Sequence, residues 1–276
     1  MIAPSAKPLS STISRTTKQR DPASVLAAST FSTGIRLLPP DLQADARRLY
    51  YVLRTVDDLV DEHHPQATHR VQAIESWASG QQTETPETRI LAALSRRYPL
   101  SPQAVIEFCQ GMRHDLSHAA IETEDDLELY CQYVGGTVGV MLAGLFGTSH
   151  PAGETKMAIL GKAMQRTNIL RDIDEDLAHD RLYISRTTIE RFGFPSPGAR
   201  ETLLRDQIAR TDELYEEGLS AIPFLRRGAR AMALSTTLYR EILRQIEREG
   251  YGRTPGRVAV PTWRRHLLTA KHRLAA

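Results

Sequence analysis

Cysteine is nearly absent from this 276-residue chain. Cys109 and Cys131 are the two present, and neither stands in a metal-ligand or CxxC spacing. That excludes a disulfide-built scaffold and a thiolate zinc site, and it points to a reduced, cytoplasmic setting. Long apolar runs are missing too. No window approaches about 18 uninterrupted apolar residues, so no membrane-spanning helix is expected. Charge of one sign is not in excess: 35 Lys and Arg face 33 Asp and Glu, a net of +2. Such a balance gives no footing for nucleic acid as a partner. No β-type alternation runs beyond a few residues, no repeat is evident, and no shift in composition marks a boundary. Acid is absent from the first 20 residues, which are rich in Ser and Thr and carry Lys7, Arg15, Lys18 and Arg20. A disordered tail over 1–20 is the favoured reading, with a transit peptide as the alternative of the same composition.

What remains is helical periodicity. Asp21-Pro22 has the form of a helix start, with a capping Asp and Pro at the first helical position. Pro39-Pro40-Asp41 ends one helix and opens another, whose apolar stripe runs Leu49, Val52, Leu53, Val56, Val60 until His63-His64-Pro65 closes it. A polar loop covers 79–88 and a helix follows over about 87–97. Ser101-Pro102 starts the next. Thr123 caps a helix through Leu127, Tyr130, Val134, Val138, Met141 and Leu142. A long helix follows Pro151, and two more segments cover about 200–220 and 223–249. The expectation is one all-α domain over 21–276.

Residues 165–176 carry the strongest chemical signal. At 100° per residue, Gln165, Asn168, Asp172 and Asp176 form one narrow stripe, while Leu160, Ala163, Thr167, Leu170, Ile173 and Leu177 lie opposite. Short oxygen-bearing side chains in a row suit hard divalent cations, although a solvated acidic face has a similar look. A second cluster, Asp57, Asp58, Asp61 and Glu62, ends the helix that opens at Pro40. Asp57 and Asp61 are one turn apart, share an edge with Arg54, and repel each other unless a counter-charge intervenes. The helix macrodipole disfavours acids at a C-terminal end, and this chain accepts that cost twice. Two such pairs facing each other across a bundle would hold several Mg²⁺ ions. Because Mg²⁺ takes few carboxylates and completes its shell with water and phosphate oxygens, the ligand inferred is a diphosphate held as a leaving group beside apolar walls.

Four segments are similar to those of the squalene/phytoene synthase family, the trans head-to-head isoprenyl diphosphate synthases. They are Arg36 to Pro40, Tyr51 to Glu62, Tyr130 to Gly139, and Gln165 to Asp176 with Arg181-Leu-Tyr183, in the family's order and over about residues 24–265. The resemblance implies an isoprenoid-synthase helical bundle around a central cavity, and a Mg²⁺-dependent condensation of two allylic prenyl diphosphates through a cyclopropylcarbinyl diphosphate. Two to three Mg²⁺ ions are expected and NADPH is not. The substrate would be farnesyl or geranylgeranyl diphosphate, and the product phytoene-, diapophytoene- or presqualene-type. By position, Asp57, Asp61, Asn168, Asp172 and Asp176 would hold metal. Arg54, Asp58, Asp115, Gln165, Arg181, Tyr183 and Tyr239 would bind substrate, and Tyr130 would stand near the reacting carbons.

The sequence departs from the family pattern at His118-Ala-Ala-Ile121 and at Phe31-Ser32, which leaves chain length and product open. The alternative reading is a member redirected to an aromatic acceptor or to terpene cyclisation. A hydrocarbon product must leave into a membrane, so peripheral membrane contact is expected, with no amphipathic helix singled out for it. Met141 and Met164 read as ordinary core. The basic residues Arg253, Arg257, Arg264 and Arg265 read as solvated surface rather than as phosphate ligands. Oligomeric state is not readable.

Overall fold

The structure is a computed structural model and describes residues 31–274. The tail expected over 1–20 and the helix start at Asp21-Pro22 lie outside the described residues. Among the described residues twelve α-helices follow in order. They are α1 (Phe31–Ile35), α2 (Pro40–Asp61), α3 (Ala67–Ala78), α4 (Pro86–Ser95), α5 (Pro102–Ser117), α6 (Glu124–Cys131), α7 (Thr137–Phe146), α8 (Ala152–Leu177), α9 (Arg186–Phe192), α10 (Glu201–Leu219), α11 (Ala229–Arg248) and α12 (Thr262–Leu274). A π-helical turn, Gln132–Gly136, joins α6 to α7, and a 3₁₀ turn, Ile222–Phe224, precedes α11. Among the described residues the only β pairing is an isolated bridge between Thr148 and Leu225. The chain is all-α, as its periodicity requires.

Local chemistry accounts for the helix starts. Pro stands at the first position of α2, α4 and α5, where its missing N–H costs nothing. Thr85 with Thr88, and Thr123 with Asp126, close reciprocal capping boxes on α4 and α6. Ser101 Oγ accepts the Ala104 N–H at 3.2 Å to cap α5. Three helices, α3, α9 and α12, escaped the sequence reading, and α11 begins at Ala229 rather than near 223. Helix α9 has only 7 residues, too few turns for a period to stand out, α3 opens without a side-chain cap, and the many basic residues of α12 hide its apolar stripe.

One expectation needs correction. The stretch from Thr123 to Leu142 is not a single α-helix but breaks at the π turn. The cause is a close approach of backbones. A Cβ on Gly135 would sit 2.4 Å from the Gly161 carbonyl oxygen, and one on Gly161 would sit 2.1 Å from the Gly135 carbonyl oxygen. Gly139 likewise leaves no room for a Cβ against the Met157 carbonyl, at 2.1 Å. The π turn and three glycines let α7 lie directly on α8. The stretch Glu124–Phe146 has the length and hydropathy of a membrane span, yet more than half of its most apolar 18-residue window is buried inside the bundle. It is a core element here.

Helix α8 is the axis of the molecule. The π turn and α6, α7, α10 and α11 all pack against it. Its expected packing face is buried at Leu160, Ala163, Thr167, Leu170 and Ile173, with Leu177 half-buried. Met141 and Met164 are buried as expected. Arg166 was not anticipated. It is 4% exposed, and its guanidinium donates to Gln207 Oε1 at 2.5 Å, Glu124 Oε2 at 3.0 Å and Glu128 Oε2 at 3.5 Å. Ser185 Oγ donates to Glu124 Oε1 at 2.8 Å, and Thr188 donates to the same oxygen. Burial alone would raise the Glu124 carboxyl, but the hydrogen bonds from Thr188, Arg166 and Ser185 outweigh it and hold the group down at about 2.

The glycine contact gives a first prediction. Gly161→Ala forces α8 off the π turn, and such overpacking is expected to cost about 2 kcal/mol. A urea unfolding midpoint equal to that of the wild type would show that the backbones have slack the structure does not display.

Candidate active site

The C-terminal turns of α2 and α8 both line the mouth of one cavity of about 540 Å³. Each end carries the negative pole of a helix dipole, so the acids on it raise a local demand for cations. From α2 come Arg54, Asp57, Asp58 and Asp61. From α8 come Gln165, Asn168, Asp172 and Asp176. Asp115 of α5, Tyr130 of α6, Arg181 and Tyr183 of the segment after α8, and Tyr239 of α11 complete the polar lining. Every side chain singled out from the sequence therefore faces one space. Deeper in, the walls are apolar and include Leu49, Leu53, Phe108, Val138, Leu142, Phe146, Met164 and Met232.

The acids are only partly matched by cations. Arg54 spans two of them, with Nη1 2.7 Å from Asp57 Oδ2 and Nη2 2.6 Å from Asp58 Oδ1. Arg181 pairs with Asp61 across the mouth. Asp57 is still pushed above the usual carboxylate range, first by burial and then by Asp61, against the pull of Arg54. Asp176 is raised to about 7, by burial first and then by Asp172, Asp61 and Glu175, with Arg181 offsetting only part. The Asn168 Oδ1 oxygen is buried with no hydrogen-bond partner, although its amide nitrogen donates to Gln165 Oε1 at 3.3 Å.

A second polar set lies further inside. Tyr183 Oη donates to Asp115 Oδ1 at 2.9 Å, and Tyr130 Oη donates to Asp115 Oδ2 at 3.3 Å. The two phenol rings stack with centroids 5.0 Å apart. Burial, and then the Asp115 charge, hold both hydroxyls well above the ordinary tyrosine range, so both remain protonated donors. Burial raises Tyr239 to about 12.

One arginine at the mouth, Arg171, was missed, and another, Arg257, was read as solvated surface. Arg171 donates to Asp172, with Nε 2.8 Å from Oδ1. Arg257 stands with Nε 3.1 Å from Asp172 Oδ1 and Nη1 3.4 Å from Glu175 Oε2. The assignment of Arg257 to solvated surface is thus corrected: a loop between α11 and α12 carries it back over α8. Nothing local could have announced that, because Arg257 stands in a stretch without periodicity. Arg171 falls off the polar stripe by angle and reaches the cavity through the length of its side chain. Arg264, by contrast, pairs with Glu241 on α11.

The donor set suits a hard dication. It consists of carboxylate and amide oxygens, one of them a buried orphan acceptor, in a region where like charges repel. Among the described residues no three of these acids converge into a ready cage.

Comparison with known proteins gives a consistent result. A family model described as squalene/phytoene synthase matches residues 26–264. The chain is 32% identical over 264 residues to a phytoene synthase of Thermus thermophilus, covering 90% of this chain and 89% of that one. It is 31% identical to a phytoene synthase of Arthrospira platensis over 281 residues, covering 90% of this chain and 89% of that one. Among solved structures, a dehydrosqualene synthase in complex with ligand superposes with a TM-score of 0.82 at 27% identity, covering 92% of this chain and 95% of the other. A squalene synthase from Alicyclobacillus acidocaldarius, at 24% identity and a TM-score of 0.73, shares the fold over 84% of this chain and 94% of its own.

Proposed function

Because the chain belongs to the squalene/phytoene synthase family, we infer that it is a prenyltransferase that joins two allylic prenyl diphosphates head to head. The observation that carries this reading is the shared cavity: two facing acidic helix ends at its mouth, and apolar walls behind them. In the reaction, the C1–O bond of one substrate breaks and its diphosphate departs. The C2–C3 double bond of the second substrate captures the cation, and loss of a proton closes a cyclopropylcarbinyl diphosphate. A second ionisation and rearrangement follows.

The roles proposed for individual residues follow from their positions. Asp57, Asp61, Asn168, Asp172 and Asp176 would hold two to three Mg²⁺ ions. These ions would neutralise the diphosphate and stabilise it as a leaving group. Arg54, Arg171, Arg181 and Arg257 grip phosphate oxygens once the substrate competes with their present carboxylate partners. Gln165 and Asp58 line the same subsite. Tyr130, Tyr183 and Asp115 form a hydrogen-bonded unit that keeps both phenols oriented and protonated over the reacting carbons, and Tyr239 walls the opposite side. The apolar depth shelters the chains from water. We propose further that the described helices act as a single domain, and that the product is phytoene-, diapophytoene- or presqualene-type.

The test is product analysis. The purified protein is incubated with Mg²⁺ and farnesyl or geranylgeranyl diphosphate, and the product is identified by mass. A dimeric C30 or C40 product is expected. Consumption of substrate only when an aromatic acceptor is added would overturn the reading, and so would a monomeric cyclised product. The relatives do not favour either outcome.

Arg257 supplies a separate prediction. Arg257→Ala removes a charge-assisted contact, and KM for the prenyl diphosphate is expected to rise about tenfold with kcat changed less. An unchanged KM in initial-rate measurements would mean that Arg257 serves only Asp172 and Glu175.

A further inference from the structure

We propose that α12 docks this protein on the surface of a membrane rich in anionic lipid. The argument starts from composition. From residue 250 to the end, the sequence has six Lys and Arg, two His, and no Asp or Glu. Half of the acid-free stretch is α12, Thr262–Leu274. One face of the helix is anchored to the protein: Arg264 pairs with Glu241, and His272 shares a hydrogen bond with Thr237 at 2.8 Å, both partners lying on α11.

The opposite face is open and apolar. Trp263, His266, Leu267 and Ala270 follow one another at helical spacing, and all four are exposed. Trp263 is 63% and Leu267 46% exposed, two of the four large hydrophobic side chains left most open to solvent among the described residues. On the helical projection His266 and Lys271 form the two edges of this stripe, while Arg265, also exposed, lies on the far side of the helix. A tryptophan and a leucine bordered by a lysine and a histidine, on a basic helix with no acid, is the pattern that lies in the headgroup plane of an anionic bilayer. A second copy of the chain is a poor occupant. A two-fold contact through this face would set the same cations against each other.

The position of the helix gives the docking a use. Arg257, at the cavity mouth beside Asp172, lies six residues before Trp263. A helix bound to lipid here brings the mouth close to a phase that dissolves hydrocarbon. That use rests on the proposed reaction, whereas the binding itself does not.

The experiment is co-sedimentation of the full chain with sucrose-loaded vesicles of phosphatidylcholine alone, or with about a third phosphatidylglycerol. Wild type is expected to bind the anionic vesicles at least about tenfold more tightly, with binding weakened by salt. Trp263→Ala combined with Leu267→Ala, and separately His266→Glu combined with Lys271→Glu, are expected to lower that binding about tenfold or more. Turnover of soluble substrate in detergent reports whether each variant is folded. In a Trp77→Phe background, Trp263 fluorescence is expected to shift to the blue on vesicle binding. Equal binding by wild type and the Trp263→Ala, Leu267→Ala variant would overturn the proposal. So would a dimer, seen by light scattering, that this variant abolishes while vesicles bind neither protein. Loss of product formation with vesicle binding intact would sink the proposed reaction and leave the docking standing.

Discussion

Asp176→Asn is expected to reduce turnover by about 10³-fold, the scale seen when one preorganised group facing the developing charge is removed, and to leave the protein no less stable. The two halves of this expectation come from the same crowding. Asp176 is raised to about 7, by burial and then by Asp172, Asp61 and Glu175, so its charge opposes the metal-free fold. An amide of the same shape removes the repulsion. In buffer without divalent cations, Tm is expected to stay level or rise by about 2 °C, corresponding to about 1 kcal/mol in a chain of this size. A residue with only a packing role would lose stability and activity together. Activity within tenfold of wild type would take Asp176 out of the reacting machinery, and a fall in Tm would deny the crowding. Sites that concentrate charge for chemistry hold it against the fold's own preference, and this variant separates the two.

Arg166→Met is expected to cost about 3 kcal/mol at pH 7, because it strips the guanidinium from a buried network and leaves carboxylates behind. The side chain is 4% exposed and links Glu124, Glu128 and Gln207, which stand on α6 and α10. Glu124 is depressed to about 2. A carboxyl with a depressed folded-state pKa contributes stability that is fully present above its unfolded value and is lost as pH falls through the folded one. Wild type therefore forfeits this contribution between about pH 4.5 and pH 2. The variant never had the Arg166 share of it. The gap between the two proteins is expected to be widest near neutrality and to narrow across that window. Urea midpoints at pH 7 and pH 3 measure it. An equal gap at both would assign the cost of the substitution to lost packing rather than to the charge network.

The candidate site was legible in the sequence to the extent that it is a property of single helices. Asp57 and Asp61 share an edge of α2, and Gln165, Asn168, Asp172 and Asp176 share a stripe of α8, because 3.6 residues per turn decides both. The opposing stripe of α8 is buried where the period says it must be. Caps and prolines set where α4, α5 and α6 begin. The assignment of roles came from resemblance to a family, and the geometry is compatible with it.

Other features depended on chain paths that no local pattern encodes. The π turn exists because Gly135 and Gly161 bring two backbones together, and each glycine alone looks like a weak point in a helix. Arg166 looks like part of a solvated edge until α6 and α10 close over it. Arg257 reaches Asp172 only because the loop after α11 doubles back across α8. Periodicity and capping, which act over a turn or two, settled from the sequence alone that the chain is all-α and which oxygens would stand in line. Which helix faces which, and which cations arrive at the mouth, was decided by tertiary structure, because those contacts join residues far apart in sequence and are chosen by packing of the whole core.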